Sequence, residues 1–321
     1  PCFILTRTNS SQNRTLSFFL GDFPAWETTR MWFAIPLCLT YLLTLLGNLA
    51  VLSIIRAEQS LHASMYLVLA MLAVADLGLS TSTFPTMLRV LWLEAREIRF
   101  DTCLAQMFFI HSFADIESAV ILAMAFDRYV AICHPLRYSS ILTNSVTTKI
   151  SKIGLAAKAR SFCMMFPTIF LLPRLPYCGH SVMPHTCCEH MGIAQLACAD
   201  ISVNIWYGFA TTLLSPGLDI VLIGVSYVLI LRAVFRLLSK DAQLKAAGTC
   251  SSHACVILMF YTPPFFSFFT HQFGHNVPHH AHILLANLYV LLPPMLNPIV
   301  YTMKNKLIRE KVSQVLFRTG R

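Results

Sequence analysis

The chain has 321 residues, 56% of them hydrophobic and only 12% charged, with a formal net charge of +9. A soluble globular domain carries roughly 25% charged residues, so the composition excludes a water-soluble fold and points to lipid. The positive charge lies in short connections between apolar segments and forms no basic domain, which sets aside a nucleic-acid partner.

Residues 1–30 read as a tail with two glycosylation acceptor triplets, at Asn9 and Asn13, which matter only in a lumenal or extracellular segment. No cleavable signal peptide precedes them, so the first apolar span is expected to act as the insertion signal. Segments of about 20 apolar residues, long enough to cross roughly 30 Å of hydrocarbon as helices, then recur in order. Span one, Met31 to Ile55, contains Gly47-Asn48, and span two, Met65 to Leu88, contains Asp76. Span three, Thr102 to Phe126, holds His111, Asp115 and Glu117 and stops at Asp127-Arg128-Tyr129. A charged pair is affordable at that water boundary and would not be five residues deeper. Spans four, Gly154 to Leu172, and five, Ile201 to Leu231, flank a loop rich in Cys and His. Span six is Ala254 to Phe269, and span seven, His282 to Met303, contains Asn297-Pro298. The reading is an all-α bundle of seven transmembrane helices over residues 31–303. In residues 304–321, basic and apolar residues alternate from Lys304 to Phe317, as suits a short amphipathic helix on the anionic inner leaflet.

Seven spans put the chain ends on opposite sides. With the amino end outside, most of the 24 basic residues, Lys149, Lys152, Arg232 and Arg236 among them, fall on the cytoplasmic side, as membrane insertion prefers. Cys103, Cys178, Cys187, Cys188 and Cys198 then lie outside, where disulfides persist. A zinc site shared with His180, His185 and His190 is the rival reading, although the spacing matches no strong metal signature.

Asp76, Glu117 and Asn48 are polar groups at lipid depth and should cluster, because a lone carboxylate there must be protonated, paired or bound to a cation. Glu117 and Arg128 are eleven positions apart, which returns to nearly the same helix face. The expectation is a sodium or proton site at Asp76 and Glu117, bordered by Asn297 and Tyr301. A neutral hydrogen-bonded network without an ion is the alternative.

Gly47-Asn48, Ala75-Asp76-Leu77, Asp127-Arg128-Tyr129 and Asn297-Pro298-Ile299-Val300-Tyr301 together resemble the rhodopsin-like G-protein-coupled receptors. The run from Met124 to Tyr138, reading MAFDRYVAICHPLRY, narrows the resemblance to olfactory receptors. So do Lys245-Ala246 with Thr249-Cys250-Ser251-Ser252-His253, and Pro294-Met295-Leu296-Asn297-Pro298. The long loop Pro176 to Asp200 and Phe260-Tyr261-Thr262-Pro263 look like the class I, fish-like branch. The resemblance covers nearly the whole chain. Two departures stand out: Ser64 where the family usually has proline, and Lys158 within span four.

The resemblance implies a receptor rather than an enzyme, in the plasma membrane, that binds a small odorant and activates an olfactory-type stimulatory G protein to raise cyclic AMP. It implies disulfides Cys103–Cys188 and Cys178–Cys198, with Cys187 beside Cys188 leaving the first choice open by one residue. Asp127, Arg128 and Tyr129 would serve G-protein coupling, with Tyr227, His253 and Tyr301 as switch partners. His111 and Asp115, four apart on one face, would meet the ligand, with Met165, Thr168, Gly208, Thr212, Tyr261 and Phe268 completing a mostly apolar pocket. His190 in the loop, and His271 with Gln272 above span six, are further anchors. The branch often has His-Arg where this chain has His271-Gln272. Without that cation, and with Asp115 present, a carboxylate ligand is less attractive than an alcohol, ketone, ester or amine, although a protonated His111 keeps acids open. The rival functions are a small-solute transporter, which would usually bring an internal repeat that is not found here, and a non-signalling receptor.

Overall fold

The computed structural model describes residues 17–20, 30–58, 64–93, 95–134, 146–177, 182–183, 187–236, 239–273, 279–304 and 307–312. Seven long helices make the bundle: α1 (Arg30–Ala57), α2 (Ser64–Trp92), α3 (Phe100–Cys133), α4 (Val146–Leu171), α5 (Ser202–Phe235), α6 (Lys240–Phe273) and α7 (His279–Lys304). Among the described residues, four stretches are long and apolar enough to cross a membrane on length and composition: Ala34–Ala57, Met65–Val90, Phe100–Cys133 and Ser202–Phe235. The outward faces agree. Leu39, Leu42, Leu43, Leu46 and Leu49 of α1 and Val221, Val225 and Val228 of α5 are exposed, a surface that only hydrocarbon would solvate. α3 is the central helix, touching α2, α4, α5 and α6.

Proline shapes two of these helices, α7 and α5, in ways the sequence explains. Pro298 has no N–H, so the carbonyl of Pro294, four residues earlier in α7, loses its helical donor. Asn48 Nδ2 of α1 supplies the replacement at 3.0 Å, while also holding Thr44 O at 3.0 Å. Its neighbour Gly47 makes the approach possible: a Cβ there would lie 2.9 Å from Pro298 Cγ. The pair Gly47-Asn48 is thus the counterpart of Asn297-Pro298 across two helices. In α5, Pro216 sits inside a π-helical turn, Leu213–Gly217, where the wider turn relieves the clash of its ring with the preceding turn. Pro85 lies inside α2.

One end of the bundle carries a small sheet that the sequence reading did not foresee. Strand β1 (Ser17–Leu20) from the amino-terminal tail lies between β2 (Glu97–Arg99), before α3, and β3 (Val182–Met183), in the loop after α4. It pairs antiparallel with β2, Phe18 opposite Ile98, and parallel with β3, Leu20 opposite Met183. Phe18 and Leu20 point inward, 1% and 2% exposed. Phe18 meets the rings of Phe100 and Tyr177 edge-on at 5.7 and 5.4 Å. A short helix, His190–Ala194, completes this lid.

At the opposite end, Ile308 of the helical turn 307–312 is fully buried among Val51, Ile55, Val68, Leu72 and Met124. Lys311 Nζ reaches Glu58 at 2.5 Å. The described parts nearest the two chain ends therefore lie at opposite ends of the bundle.

Candidate ligand pocket and polar core

The lid is fastened to α3 by a disulfide between Cys103 and Cys188, leaving Cys187 as a buried free thiol. Burial, and then the Glu189 carboxylate, push the Cys187 thiol well above the usual range, so it is an inert apolar filler. Cys198 is also disulfide-bonded; Cys178, its expected partner, lies outside the described residues. Gln106 is a clamp that sequence reading missed. Its Nε2 donates to Ser82 O at 3.0 Å and Thr86 Oγ1 at 2.9 Å, and its Oε1 accepts from the Cys188 backbone N–H at 3.2 Å. α2, α3 and the lid are thereby joined by one amide.

Beneath the lid, His190 Nε2 pairs with Asn204 Oδ1 of α5 at 3.2 Å. Gly208 faces the same ring, since a Cβ there would be 3.5 Å from His190 Nδ1. Burial and the neighbouring His111 imidazole hold the His190 pKa down to about 4, so it is neutral at physiological pH. Met165 and Thr168 are buried on α4, the Thr168 hydroxyl returning to Met165 O at 2.6 Å. Tyr261 of α6 is buried and bonded to Ser118 at 2.8 Å. Thr212 does not join them. It is exposed on the outer face of α5 and donates to Gly208 O at 2.8 Å, so it belongs to the lipid-facing surface. The side chains of Phe268, His271 and Gln272 lie outside the described residues, as do Asn9 and Asn13.

Deeper still, two polar clusters hang from α3. In the first, Asn297 Nδ2 donates to Asp76 Oδ1 and Oδ2 at 3.1 and 3.2 Å and to Glu117 Oε1 at 3.1 Å. Asp76 and Glu117 are fully buried and share the Asn297 amide, and Glu117 Oε2 has no hydrogen-bond partner. Asn48 belongs to the α1–α7 joint rather than to this cluster. In the second, Arg160 of α4 makes a two-pronged ion pair with Asp219 of α5, both bonds 2.7 Å, and Ser118 Oγ donates to the same carboxylate at 2.7 Å. Asp115 Oδ1 accepts from Ser215 Oγ at 2.9 Å. Arg160, Asp219, Ser118 and Ser215 were all missed as site residues. The available signal was two opposite charges within apolar spans, which in lipid require each other.

The family model described as "Olfactory receptor" matches residues 37–319. The chain belongs to the olfactory receptor family. Among human relatives it is 54% identical to Olfactory receptor 52B2 over 98% of this chain and 96% of that protein. It is 56% identical to Olfactory receptor 52D1 over 94% of each, and 55% identical to Olfactory receptor 52B6 over 96% of this chain and 91% of that protein. These likenesses agree with the class I branch. The receptor is thus a seven-helix membrane protein of the rhodopsin-like kind and not an enzyme; an odorant and a heterotrimeric G protein are its partners in general terms.

At the end away from the lid, Arg128 of the receptor pairs with Asp127 at 3.2 Å and its Nη2 also touches Met65 Sδ. Tyr227 OH and His253 Nδ1 bind each other at 2.6 Å, joining α5 to α6. Tyr301 OH donates to Met124 Sδ at 3.1 Å, and Tyr129 OH meets His134 Nε2 at 3.4 Å. No group of three or more metal-ligating His, Cys, Asp or Glu residues occurs among the described residues.

Proposed function

We propose that this receptor lies in the plasma membrane with its amino end outside. It binds a small odorant between α3, α4, α5, α6 and the lid, and activates the olfactory stimulatory G protein to raise cyclic AMP. One observation carries this reading. Among the buried polar atoms without a hydrogen-bond partner, which include Glu117 Oε2, Asn297 Oδ1 and His253 Nε2 elsewhere in the bundle, four belong to residues 111–115 of α3 and to Arg160 of α4: His111 Nε2, Ser112 Oγ, Asp115 Oδ2 and Arg160 Nε. The Asp127–Arg128 pair lies on the same helix, beyond Asp115 from the lid. Buried polar groups are ordinarily satisfied, so such a gathering suits a ligand site. Agonist binding then shifts the population toward a bundle opened at the Arg128 end, where Arg128 leaves Asp127 and contributes with Tyr129, Tyr227, His253 and Tyr301 to the cleft for a G-protein helix. The tail, glycosylated at Asn9 and Asn13, stays outside, and residues 304–321 lie on the inner leaflet.

The test is a cyclic-AMP assay in cells supplied with the olfactory G protein. Arg128→Ala is expected to silence an odorant response while surface display persists; an unchanged response would end the coupling reading. Asp76 and Glu117 also suit a structural sodium ion, since two buried carboxylates served by one amide need a proton or a cation. Replacing external and internal sodium with N-methyl-glucamine should then raise agonist potency in the wild type but not in Asp76→Asn. Equal shifts in both would leave the neutral network as the account.

A further inference from the structure

We infer that the head group selected by this pocket is a small aliphatic ammonium, and that Asp219 sets the selectivity by holding Arg160. The inference rests on the odorant-binding reading above and names the ligand class for that same site.

His111, Asp115 and Ser118 are spaced four and three apart, so α3 presents them on one face. Opposite them stand Arg160 from α4, Ser215 and Asp219 from α5, and Tyr261 from α6. The cluster holds two carboxylates and one guanidinium, and the guanidinium is already committed. Arg160 donates through Nη1 and Nη2 to both oxygens of Asp219 at 2.7 Å, a two-pronged pair that leaves only its Nε without a partner. Asp219 Oδ2 also accepts from Ser118 at 2.7 Å, and the residue is 1% exposed. Its charge is answered within the protein.

Asp115 is different. It is 9% exposed, its Oδ1 accepts one bond from Ser215, and its Oδ2 has no partner. One turn closer to the lid, His111 Nε2 is also buried and without a partner. One carboxylate oxygen and one imidazole nitrogen without hydrogen-bond partners therefore remain on adjacent turns. In a low-dielectric interior the carboxylate calls for a cation or a strong donor. An ammonium head supplies the charge and donates to Oδ2, and its second N–H finds an acceptor in His111 Nε2 when that ring carries its proton on Nδ1.

A carboxylate ligand meets the reverse situation. Asp115 repels it, and drawing the Arg160 guanidinium away from Asp219 would expose a second buried negative charge. The π-helical turn gives the arrangement independent support. Leu213–Gly217 contains Ser215 and turns its hydroxyl onto Asp115, and such turns are frequent at functional sites.

The experiment uses the full-length receptor in cells with the olfactory G protein and a cyclic-AMP readout. The probes are hexylamine, hexanol and hexanoic acid, which share one tail length. The amine is expected to be the most potent. Asp115→Asn should lower amine potency by about tenfold or more, the factor corresponding to about 1.4 kcal/mol, with the hexanol response changed less than about threefold. Asp219→Asn, of equal volume, frees Arg160 and should weaken the amine while admitting the acid; should that variant fail to reach the surface, Asp115→Asn alone decides. Hexanoic acid outperforming hexylamine on the wild type, or an amine potency untouched by Asp115→Asn, overturns the inference and leaves the receptor reading in place. Silence toward all three probes and a broad odorant mixture, with surface display intact, removes both.

Discussion

Two clusters of buried polar side chains hang from α3 only two residues apart, and each handles carboxylates in hydrocarbon in its own way. Asp115 and Glu117 differ by two positions, about 200° around the helix, so they face opposite sides of the bundle. On the Glu117 side, two carboxylates from α2 and α3 share one amide from α7 and no basic side chain reaches them among the described contacts. On the Asp115 side, α4 and α5 bring a full guanidinium–carboxylate pair. The first arrangement depends on a proton or a mobile cation and can respond to one. The second is fixed by its own charges, except at Asp115. The contrast separates what the bundle holds rigidly from what it leaves open to small partners.

The largest disturbance should come from breaking the fixed pair. Arg160→Leu or Asp219→Leu alone leaves one buried charge unanswered, which costs about 3–5 kcal/mol, and surface display measured by flow cytometry should collapse. The double variant should recover most of that loss, and failure to recover would mean the pair is not an isolated unit. Asn297→Ala removes the shared amide of the other cluster and should cost about 1–3 kcal/mol, read as a lower melting temperature of the detergent-purified receptor. Its loss should be partly offset by Asp76→Asn, which removes one of the carboxylates it serves.

A smaller effect should follow Gly78→Ala. A Cβ there would lie 2.3 Å from the Phe113 ring, and Phe113 stands one turn from Glu117 on the same face. Overfilling of this kind costs about 1–3 kcal/mol, and Phe113→Leu should relieve it in the same melting assay. The smallest concerns the lid over the Asp115 side. The His190 pKa is held near 4 in the folded protein against 6.5 for an unperturbed ring. The unfolded state therefore takes up a proton first as pH falls, and stability is full above about 6.5 and lost progressively toward 4. At pH 5.5 the loss is about 1.4 kcal/mol, visible as a lowered melting temperature that His190→Gln should not share.

Much of this was legible in the sequence, for reasons that differ by region. Asp76 and Glu117 could be grouped, with Asn297 at their border, because polar side chains at lipid depth must find one another and each falls within a clear apolar span; Asn48, grouped with them, joins α1 to α7 instead. Seven spans followed from length alone. Arg160 and Asp219 were just as visible as letters, but pairing them needs the register of α5, and the π-turn at Leu213–Gly217 shifts every residue after it relative to an ideal helix. Thr212, immediately before that turn, was counted among the pocket residues, and its exposed side chain lies on the outer face instead. Gln106 gave no periodic signal at all, since its partners are backbone groups of another helix and the lid. β1 was illegible because four residues are too few to show alternation, and both of its partners are distant loops.

The central place of β1 in its sheet has a consequence for how the molecule is made. Ser17–Leu20 leaves the ribosome early, yet Glu97–Arg99 is not synthesised until two helices have followed it, and Val182–Met183 not until four have. The tail must therefore wait, with Phe18 uncovered, until the chain has been threaded back and forth several times. Closure of the sheet thus marks a late checkpoint in biogenesis, one that a protein truncated after its third helix could never pass.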